Sequence, residues 1–126
     1  MSGPVLGTND NHKMSIEGLA QTMLNTHAQF QTMIIGACTI TLYLPGVHSL
    51  KEKRSVVKSV LARLRNEFNV STAEVDAHDL HVRAVLGVAC VSGSSEYARG
   101  QLEAVVRWIE EQRPDAPVLD YEIELL

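Results

Sequence analysis

A chain of 126 residues, 45% apolar and 21% charged, has the composition of a soluble globular domain and excludes the fibrous and disordered classes. No run of about 18 apolar residues occurs, which excludes a membrane-spanning helix. The formal net charge of −4 excludes a generally basic nucleic-acid binder, so any contact with an anion has to be local.

The charge is unevenly spread. Between residues 51 and 67, Lys51, Lys53, Arg54, Lys58, Arg63 and Arg65 stand against Glu52 and Glu67, a local +4 that leaves −8 for the remainder. One basic segment on an acidic body points to an anionic partner met on one side.

Residues 1–13, rich in Gly, Asn and Asp, read as a disordered tail. Ile16, Leu19, Ala20, Met23, Leu24 and His27 then recur at helical spacing over residues 15–29. The segment 1–32 is therefore expected to be a disordered or weakly helical extension, consistent with an early start codon, ahead of a domain over 33–126. The first thirty residues lack both a basic n-region and a continuous apolar stretch, so no secretory signal is expected and the cytoplasm is the expected location.

Residues 33–44 (MIIGACTITLYL) alternate as a strand, with Ile34, Gly36, Cys38, Ile40 and Leu42 on one face and Thr39, Thr41 and Tyr43 on the other. Pro45-Gly46 ends it. Ser49 with Glu52 three residues on forms a capping box, and the spacing predicts a helix from Leu50 to Phe68, closed by Asn69. Its apolar stripe holds Leu50, Val57, Val60, Leu61, Leu64 and Phe68. Lys51, Arg54, Lys58 and Arg65 gather on one flank of that stripe.

Residues 70–77 predict a second strand with a bulge or a one-residue slip. A polar turn over 76–81 follows, and then a third strand over 82–92. Because both faces of the third strand are mostly apolar, it belongs in the middle of a sheet. Ser92 to Ser95 supplies a helix cap. Ala98, Leu102, Val105 and Ile109 mark a second helix to about Gln112, with Val106 and Trp108 flanking the stripe, and Pro114 and Pro117 stop it. Residues 118–126 alternate as a fourth strand, with Leu119, Tyr121, Ile123 and Leu125 inward.

The order βαββαβ predicts an α+β, ferredoxin-like domain: a four-stranded antiparallel sheet in the order 4-1-3-2, with two helices on one face. The other face is left without a covering layer.

Residues 33–126 resemble the YlxP-like family of small uncharacterised bacterial proteins. The resemblance is carried by SLKEKR followed by FNVS and AEVD, by DLHVRAVLGVACVSG and by the closing LDYEIELL. It implies the ferredoxin-like fold. Because such genes often lie among those for translation initiation and ribosome maturation, it also implies a ribosomal or RNA connection. It implies no catalytic residue and no cofactor.

The candidate RNA-binding residues are Lys51, Lys53, Arg54, Lys58 and Arg65, although a solvated helix face has the same composition. The sheet is not expected to bind RNA by stacking, because the third strand offers no aromatic to accompany Tyr43. The alternative is a homodimeric small-ligand-binding or scaffold module built on the uncovered sheet face, with Thr39, Tyr43 and Val85 as interface candidates and Trp108 as an anchor.

Asp76, His78, Asp79 and His81 have ligand chemistry, but their spacing fits no strong metal motif, so they read as a polar turn. Cys38 and Cys90 read as buried thiols, with Cys38 expected opposite Gly87. No phosphate-binding glycine loop and no nucleophile with its base is found. An enzyme is not expected.

Overall fold

The computed structural model describes residues 16, 17 and 33–126. Residues Met33–Leu126 form one compact unit. Of the helix expected over 15–29, only Ile16 and Glu17 are described, and both are helical; the rest of that reading, and the tail before it, lie outside the described residues.

The Met33–Leu126 unit runs β1 (Ile34–Tyr43), α1 (Leu50–Glu67), β2 (Ser71–Asp76), β3 (Arg83–Ser92), α2 (Ser95–Gln112) and β4 (Val118–Leu125). The strands form one antiparallel sheet in the order β2-β3-β1-β4, the expected order counted from the other edge. Alternation along the two central strands buries Cys38, Ile40 and Leu42 of β1 with Ala84, Leu86, Val88 and Cys90 of β3 on one face. Both helices close that face: Val57, Val60 and Leu64 of α1 and Ala98, Leu102, Val105 and Ile109 of α2 join the same core. The α+β ferredoxin-like architecture follows from these two patterns.

Both helix starts are chemically specified. Ser49 Oγ accepts from the Glu52 N–H at 3.1 Å, and the Glu52 carboxylate reaches back to accept from the His48 N–H at 2.7 Å. The reciprocal cap thus forms, with the backward bond one residue earlier than in the usual pattern. Ser94 Oγ caps α2 by accepting from the Tyr97 N–H at 3.2 Å.

Four details differ from the sequence reading. First, α1 ends at Glu67, and Phe68, not Asn69, is its cap. Second, β1 pairs with β3 one residue off the expected register, so Cys38 lies opposite Val88 and not Gly87. Third, Val106, read as flanking, is buried in the core. Fourth, β4 carries a register break where Thr41 pairs with Asp120 and Leu42 with Val118. Leu119 is the extra residue; it turns outward, 53% exposed, and Val118 packs on the core in its place. The break foreseen in the second strand is present: Glu74 pairs with Leu86 and Asp76 with Val85, leaving Val75 unpaired.

Gly36 sits where α2 approaches β1. A Cβ there would lie 2.9 Å from Leu102 Cδ1 and 3.2 Å from Cys90 Sγ, and both neighbours are themselves buried. Gly36→Ala is expected to destabilise the domain by about 1–3 kcal/mol, the usual cost of overpacking. A lower urea midpoint at unchanged slope is the result to look for.

Candidate functional site

The exposed surface of α1 builds the site. Its core-facing side is fixed by Val57, Val60 and Leu64, which turns Lys51, Arg54, Lys58 and Arg65 to solvent together. From Lys51 to Arg65 the helix advances about 21 Å. Arg65 leans toward the sheet edge, where its Nη1 donates to Thr72 Oγ1 at 2.8 Å, so the flank lies along the β2 side. Among the described residues the ion pairs are Lys53–Glu74 and Arg113–Asp115. None of the four flank cations is held by a carboxylate there, and each keeps donors for an anion.

Lys53 does not belong to that flank, which corrects its place among the RNA-binding candidates. It is 1% exposed and points into the protein between α1 and β2. Its Nζ donates to the Ala77 carbonyl at 2.5 Å and lies 2.7 Å from Glu74 Oε2. The second contact misses hydrogen-bond alignment and leaves that oxygen without a formal donor, so the attraction there is chiefly between charges. A buried ammonium with both partners inside the fold has no phosphate within reach. Its signal was present in the sequence: at about 100° per residue, Lys53 falls on the helix wheel between Val60 and Leu64, inside the apolar stripe.

The opposite flank of α1 meets α2. Arg63 stands over the Trp108 ring, 5.2 Å from its centroid, a cation–π contact. Arg113, just past the end of α2, donates to Ser59 Oγ at 3.2 Å and forms a two-point pair with Asp115. That pairing holds the Asp115 carboxyl below its ordinary range. Trp108 is therefore half-buried between the helices, on the far side of the sheet from Thr39, Tyr43 and Val85, and it cannot serve one interface with them.

On the uncovered face, Thr39 and Tyr43 are exposed and Val85 is half-buried. Around them the sequence reading passed over Ile35, Val75 and Leu126, all exposed. Leu126 lies there because its backbone pairs with Ile35 in both directions, at 3.1 and 2.7 Å. Tyr43 is paired with Arg83, so no aromatic platform forms across the central strands.

In the polar turn, His78 Nε2 approaches the Glu74 carbonyl and His81 Nδ1 the Val47 carbonyl, each at 3.3 Å. The two imidazoles are directed at different backbone groups. Among the described residues no group of three His, Cys, Asp or Glu side chains is arranged to hold a metal.

Cys38 and Cys90 are free and buried. Burial pushes the Cys38 thiol up from 9.0 to about 11. Between those values the unfolded chain loses its thiol proton first, so stability falls as pH rises from about 9 to about 11. The loss is expected to total about 2–3 kcal/mol. In Cys38→Ala the alkaline slope should be shallower by that amount over the same window, measured by urea unfolding at each pH.

Among the described residues no helix is long and apolar enough to cross a membrane. Residues 35–123 match the family described as "Protein of unknown function (DUF503)". A relative in Bacillus subtilis (strain 168), "Uncharacterized protein YlxP", is 40% identical over 73 residues, which cover 58% of this chain and 77% of the relative. Both matches confirm the YlxP-like resemblance.

Proposed function

The chain belongs to the DUF503 family of proteins of unknown function, and we propose that it is a non-enzymatic RNA- or ribosome-associated protein that binds through the exposed flank of α1. One observation carries the reading: Lys51, Arg54 and Lys58 are exposed on one flank, with Arg65 beside them, on a chain of net charge −4. Folding accounts for the apolar stripe, the cap and Lys53. It does not account for cations gathered on one side of an acidic body, where scattering them among the carboxylates would lower the self-energy of both.

Phosphate oxygens are the partners that such a row fits, since Lys and Arg supply donors without reading a base. The YlxP-like resemblance supports a setting in translation or ribosome maturation. Ribosomal RNA fragments titrated with the protein at increasing salt test the proposal. With three or four phosphate contacts, the slope of log K against log salt is expected between about −2 and −4. A slope near zero would refute it.

A further inference from the structure

We infer that the uncovered sheet face is a self-association surface on which a second copy of this chain packs face to face, about a two-fold axis parallel to the strands. This goes beyond the α1 reading and does not rest on it.

The face has a relief suited to such packing. Ala37, Ala73, Gly87 and Ala89 floor a hollow of about 450 Å³ along its middle. Around it stand Ile35, Tyr43, Val75 and Val91, exposed by 38, 43, 52 and 65%. Knobs beside a hollow let one copy fill the other. With strands about 4.8 Å apart and about 3.3 Å per residue, the sheet covers about 500 Å². Two such faces together remove about 1,000 Å² from water, the lower bound for a specific interface.

Charge selects the orientation. On this face β4 presents Asp120, Glu122 and Glu124, while the two central strands carry a single charge, Arg83, opposite Tyr43 at one end. The registers align Ala73, Gly87, Thr39 and Glu122 in one row across the sheet, and Ser71, Ala89, Ala37 and Glu124 in the next. A two-fold axis running across the strands would stack β4 on β4 and oppose the carboxylate rows. An axis parallel to the strands stacks β4 on β2, setting Glu122 over Ala73 and Glu124 over Ser71. Only Asp120 then meets a like charge, Asp76, at one end of the row. Directly opposed like charges are unfavourable, so the parallel axis is preferred.

The test is the mass of the full chain in solution at tens of micromolar by analytical ultracentrifugation. Twice the 13.9 kDa chain mass is expected, falling to the single-chain value in Val85→Lys, whose circular dichroism should be unchanged. Ala89→Lys is the second probe of the same face should Val85→Lys fail to fold. Facing sheets stand about 10 Å apart, beyond the reach of a disulfide, so a short bis-maleimide should cross-link an Ala73→Cys/Glu122→Cys variant between copies and leave Glu122→Cys alone uncross-linked. A monomer in the wild type leaves the face to some other molecule and overturns the inference, as does a dimer that survives both lysine substitutions. Cross-linking of Glu122→Cys to itself overturns the axis.

Discussion

Replacing Lys53 by Met is expected to lower the stability of the domain by about 3 kcal/mol, although Met keeps most of the alkyl volume that packs between α1 and β2. Removing one member of a buried ion pair leaves the other charge uncompensated, which costs about 3–5 kcal/mol. The lower end applies because the Glu74 side chain is still 17% exposed and can turn toward water. A second loss falls on the turn after β2. Ala77 has φ 61, a left-handed conformation that costs a non-glycine residue about 1 kcal/mol. Three bonds hold it there: its N–H donates to Asp76 Oδ1 at 2.7 Å, and its carbonyl accepts from the Leu80 N–H at 3.1 Å and from Lys53 Nζ.

Calorimetry is the measurement. At about 4–8 °C per kcal/mol for a domain of this size, Tm should fall by more than 10 °C. The double variant Lys53→Met/Glu74→Met should recover most of that loss, because removing both charges leaves neither stranded. A fall of under about 1 kcal/mol in Lys53→Met would mean that the ammonium reaches solvent and that the buried pair does not hold the turn.

The same residue marks the limit of what local sequence pattern specifies. Fold class was legible because the two central strands bury one clean alternating face and the two helices carry continuous apolar stripes, so order and handedness left one compact topology. Counting cations along the chain places Lys53 in a charged cluster, but such a count ignores direction. Its wheel position already set it inside the core stripe, but its partner was harder to see. Glu74 reaches the helix-facing side one residue before the bulge at Val75, and a bulge depends on pairing that no local pattern fixes. Leu119 failed for a similar reason. The alternation of LDYEIEL fits a strand with Leu119 inward, but Leu42 pairs with Val118 and the Tyr43 N–H donates to the Pro117 carbonyl at 2.9 Å. Those contacts fix the start of β4 and push Leu119 out. Trp108 looks free to join the sheet face because sequence alone does not say that Arg63 covers it from α1.

Reversing Lys51, Arg54 and Lys58 together to Glu is expected to weaken RNA binding by about 100-fold or more while leaving stability nearly unchanged, the opposite profile to Lys53→Met. Each cation near a polyanion contributes about 1 kcal/mol, and three lost contacts convert to about two decades of affinity. Stability should hold because all three side chains are exposed and none is paired with a carboxylate among the described residues. Exposed substitutions of this kind usually stay within about 0.5 kcal/mol each. The salt slope should flatten with the affinity, since fewer counterions are released on binding. Arg65 separates the two roles within one side chain. Its bond to Thr72 ties α1 to β2, so Arg65→Lys should keep the charge for phosphate and give up the bond. If the triple reversal leaves affinity and salt slope as they were, the flank is a solvated helix face and the RNA reading fails. If it abolishes binding only by unfolding the chain, thermal melts will show that directly, and the single reversal Lys58→Glu, expected to cost about fivefold, then decides.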